Sequence, residues 1–177
     1  MKLVLAITGA SGIQYATALL TQLKAHKQDV KTIISNGAKK VAQAENQLLP
    51  NSDYQENDLF APFASGSNPP DALIVCPCSL KTLGEIANGV GSNLISRTAE
   101  VCLKERKKLI LVIRETPYSL ITIKNMEKIT LAGGVILPAS PGFYHNPQNI
   151  DDLINFIVGK IFDQLNIKNN IFKRWGE

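Results

Sequence analysis

The chain has 177 residues, 45% of them apolar and 19% charged, with a formal net charge of +4. That length and balance suit one globular domain with a sizeable core and exclude a disordered or low-complexity chain. No apolar run approaches the roughly 20 residues of a membrane-spanning helix, and the mild positive charge fits an anionic small ligand as readily as nucleic acid.

The first apolar run, 3–7, predicts a strand. It feeds a glycine turn, Thr8-Gly9-Ala10-Ser11-Gly12, and then a helix over 12–26 with Ile13, Ala16, Leu19, Leu20 and Leu23 on one stripe. A short apolar stretch that runs into such a turn argues against a secretory signal. A second strand at 30–35 precedes a short helix over 37–46. Residues 46–70 read as irregular; a stretch of that length is either a binding loop or lid, or a surface excursion. A third strand at 72–76 leads to a helix over 79–88, and helical pattern resumes over 92–106. The run LILVI at 109–113 predicts a strand buried on both faces. Arg114 and Glu115 follow it directly, a costly pair at a buried strand mouth unless something engages it. A short helix at 125–131, a fifth strand at 134–138 and a last helix over 149–166 complete the pattern. That helix carries Leu153, Ile154, Ile157, Ile161 and Leu165 on one side, with Asp151 and Asp152 in its first turn. Strands alternating with helices predict an α/β fold with a parallel sheet.

In open parallel sheets, ligands bind beyond the carboxyl ends of the strands. Those ends read Thr8–Gly12, then Ser35-Asn36-Gly37, then Pro77-Cys78-Ser79 with Thr82, then Arg114-Glu115, then Ala139–Tyr144. Glycines and hydroxyls at helix starts suit a phosphate. TGASG alone is weak, since a glycine turn is often only steric; its recurrence at several strand ends is the stronger argument. The turn is not GxGxxG, and Ser35 stands where a dinucleotide fold places an acid for the ribose. The short-chain dehydrogenase pair Tyr-x-x-x-Lys is missing too, so a mononucleotide such as FMN fits better.

Other candidates have plain readings. Arg97 and Lys104 share a helix face with Glu100 between them, the pattern of a solvated ion-pair ladder. KERKK at 104–108 lacks the interleaved aromatics of a nucleic-acid groove. Cys76 and Cys78 form CxC without a second pair or a nearby histidine, against a zinc site and for simple packing. Three cysteines with no disulfide framework point to a reducing cytoplasm.

Five segments carry a family resemblance: ITGASGIQY (7–15), CPCSLKTLGEIANG (76–89), NLISRTAEVCLKERKKLILVIRETP (93–117), GGVILPASPGFYHNPQNIDDLINFIVGK (133–160) and RWGE (174–177). Nearly end to end, the chain resembles the UbiX-type flavin prenyltransferases of the homo-oligomeric flavin-containing superfamily. The resemblance implies a Rossmann-like (flavodoxin-like) single domain over 1–165 and a tail, 166–177, that contacts a neighbouring subunit. It implies transfer of a dimethylallyl group from dimethylallyl phosphate to reduced FMN, N5 attacking the allylic carbon and C6 closing a fourth ring, with no metal. The product is prenylated FMN, the cofactor of UbiD-type decarboxylases in ubiquinone biosynthesis or aromatic acid decarboxylation. An FMN carrier or chaperone, and a flavin-dependent decarboxylase, are the alternatives.

By motif position, the resemblance assigns FMN contacts to Gly9, Ala10, Ser11, Ser35, Ser79, Leu80, Lys81, Thr82 and Arg114. It assigns the donor phosphate to Tyr144 and Lys160 together with Arg97 and Lys104. Ser11, Glu45, Arg97, Lys104 and Glu115 fall at positions implicated in the chemistry. The family forms dodecamers with sites at subunit junctions, and Trp175, beside Phe172 and Ile171, gives the tail apolar groups to reach a neighbour. Lys160 stands where the family usually has arginine, which keeps charge and loses the planar two-pronged grip. Ala16 and Thr122 also depart from the family's usual glycine and histidine.

Overall fold

A computed structural model describes residues 1–176. Glu177, the last residue of RWGE and of the 166–177 tail, lies outside the described residues. The chain runs β1 (Lys2–Ile7), α1 (Ile13–Ala25), β2 (Asp29–Ile34), α2 (Asn36–Ala44), β3 (Tyr54–Gln55), a 3-10 turn (Pro62–Ala64), β4 (Ala72–Cys78), α3 (Leu80–Ala87), α4 (Leu94–Lys104), β5 (Lys108–Ile113), α5 (Leu120–Leu131), β6 (Val135–Pro138) and α6 (Ile150–Gln164).

All strands pair in parallel, in the order β3-β2-β1-β4-β5-β6. The five longer strands alone follow the flavodoxin-like order, and the two-residue β3 extends the edge to the order of a dinucleotide fold. Side chains alternate across the sheet. Leu3, Leu5, Ile74, Ile110 and Val112 pack under α1 and α6, while Val4, Ala6, Leu73, Leu109 and Leu111 pack under α3, α4 and α5. LILVI is therefore buried on both faces as its composition predicts, with 109–113 at most 1% exposed.

Three boundaries differ from the sequence reading. Residues 46–70 are not wholly irregular: β3 pairs with β2, Phe63 is buried, and the Glu56 carbonyl accepts the Leu94 amide at 2.7 Å. Asp53 fixes the approach by accepting the Thr32 amide at 2.9 Å. Helix α5 begins at Leu120 rather than 125, because Ser119 caps it by accepting the Thr122 amide at 3.2 Å. Its first turn exposes Leu120, Ile121 and Ile123, which hides the helical stripe. Strand β4 runs on to Cys78 through a cis Cys76–Pro77 bond and a shift in register against β5.

Candidate active site

Neighbours of β1 in the sheet leave it in opposite directions along the chain, β2 on one side and β4 on the other. Such a switch point opens a crevice above the strand ends. Thr8 joins its two walls. Its hydroxyl donates to the Pro77 carbonyl at 2.8 Å and accepts the Ser79 amide at 2.8 Å, and Thr8 itself is 1% exposed. The next residue explains one glycine of TGASG: a Cβ on Gly9 would stand 3.0 Å from the backbone of Gly37. Gly12, at φ 101°, takes the left-handed conformation that starts α1.

Around this junction lies a cleft of about 440 Å3, lined by Gly9, Ser35, Gly37, Lys40, Ser79 and Thr82 among others. Leu80 and Lys81 of the sequence reading line it too, and so do Asn36 and Glu56, joined by a 2.6 Å hydrogen bond. Two helices start at its rim. Ser35 caps α2 by accepting the Ala38 amide at 3.0 Å, and Ser79 caps α3 by accepting the Thr82 amide at 3.2 Å. The helix starts direct backbone N–H groups and positive dipole ends at the cleft.

The charged pair after β5 is engaged by backbone. Arg114 donates from Nε to the Ser11 carbonyl at 3.1 Å, and Glu115 accepts the Thr116 amide at 3.0 Å. Arg114 thereby ties the fourth strand end of the sequence reading to the first. Tyr15 lies against Gly12 in the same corner. Burial and the neighbouring Cys76 raise its phenol above the ordinary value, with Arg114 acting in the opposite direction.

The remaining assigned residues do not join this cleft within one chain. Arg97 and Lys104 lie on α4 and Lys160 on α6, the helix against which Tyr144 packs, with rings 5.7 Å apart. Helices α4 and α6 cover opposite faces of the sheet. Glu45 ends α2, and a rise of about 1.5 Å per residue sets it roughly 15 Å along the axis from Ser35. Arg97 donates to the Ala64 carbonyl at 3.0 Å and pairs with Glu100 at 2.8 Å, whereas Lys104 turns to Glu105. Half of the expected ladder forms.

Two further features are inert. Cys76 and Cys78 are fully buried and burial raises both thiols; burial raises Cys102 to about 12. A larger groove of about 620 Å3 lies between α1, α6 and residues 46–48. Among the described residues its lining holds the carboxylate of Asp151 and no lysine or arginine, which suits an anion poorly. Sequence reasoning placed Thr8 and Asn36 at strand ends without assigning either a contact, and missed Lys40 and Glu56, which lie away from any strand end predicted from the sequence and left no signal.

Fold and cleft together define a doubly wound α/β protein whose switch point carries a cleft suited to a phosphate-bearing mononucleotide. FMN suits it: hydroxyls and two helix starts for the phosphate, an approach kept open by glycine, and Arg114 beside the turn. The flavoprotein family model matches residues 1–162. The flavin prenyltransferase UbiX of Methanocaldococcus jannaschii is 47% identical over 183 residues, covering 99% of each chain. Among solved structures, AnUbiX (PadA1) in complex with FMN and dimethylallyl pyrophosphate is 40% identical with a TM-score of 0.94, over 99% of this chain and 97% of that one. A dodecameric FMN-dependent UbiX-like decarboxylase from Escherichia coli O157:H7 is 34% identical with a TM-score of 0.90, over the full length of both. The chain belongs to the UbiX-type flavin prenyltransferases, within the flavoprotein family.

Proposed function

We propose that this protein transfers a dimethylallyl group from a dimethylallyl phosphate ester to reduced FMN, giving prenylated FMN. One observation carries the reading: the ends of β1, β2 and β4 meet in a single cleft of hydroxyls, glycines and helix starts, with Arg114 tying the end of β5 to the β1 turn. Reduced FMN is the acceptor and supplies the nucleophile. Gly9, Ala10 and Ser11 take its approach, Ser35 and the Ser79–Thr82 segment offer hydroxyls and helix starts, and Arg114 supplies fixed positive charge. Glu115 keeps one carboxylate oxygen beyond its bond to Thr116 and serves proton transfer.

The donor's C–O bond breaks with its electrons leaving on phosphate, so cations at that oxygen lower the barrier. Arg97, Lys104 and Lys160 fill that role, Tyr144 offers its hydroxyl to the phosphate, and Glu45 helps to organise the site. Their placement on opposite sheet faces supports a site shared between copies of the chain: one contributes Arg97 and Lys104, another Tyr144 and Lys160. A homo-oligomer, with a dodecamer as the specific assembly, follows from this reading. So does a tail whose exposed Trp175 meets a neighbour. The product serves a UbiD-type decarboxylase. Buried, free cysteines suit a reducing cytoplasm; among the described residues, no helix is long and apolar enough to cross a membrane.

The test is anaerobic incubation of purified protein with reduced FMN and dimethylallyl monophosphate or diphosphate. The reading predicts a flavin heavier by one five-carbon unit. Bound flavin of unchanged mass with both donors indicates a carrier instead, and carbon dioxide released from an aromatic acid by this chain alone indicates a decarboxylase.

A further inference from the structure

The tail after α6 folds back along its own helix. Phe172 is buried against Gly159 and Phe156, and Trp175 stands edge-on to Tyr144 at 5.2 Å. One carboxylate ties this arrangement to α6. Asp163 accepts both prongs of Arg174, from Nη1 to Oδ2 at 2.7 Å and from Nη2 to Oδ1 at 2.8 Å, and accepts Asn169 Nδ2 at 3.2 Å. Lys160 Nζ lies 3.5 Å from the oxygen that Arg174 Nη1 also uses. Two cations therefore flank one carboxylate.

Lysine is a compact charge on a flexible stem, and the Lys160 side chain is 45% exposed. Asp163, one turn further on, limits where that charge goes. A lone carboxylate would also cancel the charge toward an arriving phosphate. Arg174 offsets this, because its fork engages both carboxylate oxygens in short charge-assisted bonds. The hydrogen bond from Arg174 is also the main reason that the Asp163 carboxyl sits below the usual carboxylate range, against the opposing effect of burial. Asp163 is thus ionised across neutral pH.

We infer that Asp163 is a positioning residue for the donor phosphate, holding the ammonium of Lys160 in place while Arg174 neutralises the carboxylate. The inference rests on the reading of Lys160 as a donor contact and deepens it, since it assigns to Asp163 and the tail the task that a planar arginine would do alone.

A double-mutant cycle tests it, with calorimetric binding of dimethylallyl monophosphate to the FMN-loaded protein as the readout. D163N keeps the shape and removes the charge. D163N and K160A are each expected to weaken donor binding about tenfold, the worth of one charge-assisted contact. The double variant is expected to match K160A within about twofold, because Asp163 acts through Lys160. FMN affinity stays constant throughout, and D163E recovers part of the loss. An equal cost of D163N with and without Lys160, or no cost at all, overturns the positioning role. R174Q, outside the helix, covers a D163N chain that fails to fold: the released carboxylate draws Lys160 away and donor binding falls, and unchanged binding overturns the inference. K160A with unaltered donor affinity refutes the donor role of Lys160, and with it the inference, while prenyl transfer itself stands. A parent protein that binds no donor at all overturns both.

Discussion

Thr8→Val exchanges a hydroxyl for a methyl of nearly the same shape at the centre of the switch point. The substitution removes two 2.8 Å hydrogen bonds, the donation to the Pro77 carbonyl and the acceptance of the Ser79 amide. Pro77 keeps a second donor, the Thr8 amide at 3.2 Å, so the lasting deficit falls on the Ser79 N–H. A net worth near 1 kcal/mol per bond gives a loss of about 2 kcal/mol, with the partly buried Ser79 amide at the low end of the penalty for an unsatisfied donor. That is roughly a thirtyfold change in the folding equilibrium. Urea unfolding of the apo protein at fixed concentration measures it, with an unchanged slope as the sign that only stability moved. Because the same bonds hold the β1 turn to the start of α3, FMN affinity falls as well, whereas Thr8→Ser keeps the hydroxyl and the affinity. A Thr8→Val chain with the parent's midpoint and the parent's FMN affinity refutes the idea that this hydroxyl joins the two walls.

Arg114→Lys keeps charge but replaces the Nε–H that reaches the Ser11 carbonyl, so FMN affinity is expected to drop about tenfold; titration by flavin fluorescence reads it, and an unchanged constant refutes the assignment. The Asp163 carboxyl is depressed in the folded chain, chiefly by Arg174. Its stabilising contribution is therefore complete above the unfolded carboxylate value of about 3.9 and lost as pH falls through the lower folded value. Tail docking, followed by the emission of Trp175, the only tryptophan, is expected to weaken in that acid range, and D163N to remove this part of the pH dependence. Cys76 and Cys78 are buried with raised thiols, so a thiol reagent at pH 8 leaves them unmodified in the native protein and labels them in urea; rapid native labelling contradicts the packing described above.

How much of this was legible in the sequence depends on how local the cause is. Strand β5 was readable because both faces are covered, which leaves an unbroken apolar run. The strand-end turns were readable because the parallel architecture sends every carboxyl end to one edge. The start of α5 was not: its first turn exposes Leu120, Ile121 and Ile123, and a helix whose apolar residues face outward shows no stripe. Strand β3 is two residues long, below any periodic signal, and exists because β2 offers an edge. At the site, Ser35 and Ser79 were visible as strand-end hydroxyls before helices, but the Thr8 bridge joins residues 69 and 71 apart, and its partners have no local signature. Arg97 and Lys104 share a helix face in sequence, and only the packing of α4 and α6 on opposite faces separates them from Lys160. The apolar tail residues read as a reach toward a neighbour; within the chain Phe172 and Ile171 pack on the core, while Trp175 is 81% exposed.

The central claim is that FMN sits above the switch point, between the ends of β1, β2 and β4. A crystal structure of the chain with FMN tests it directly. The account predicts flavin density in the cleft bordered by Gly9, Ser35, Ser79 and Thr82, with Arg114 alongside. Flavin bound in the larger groove between α1 and α6, with that cleft filled by solvent, contradicts it.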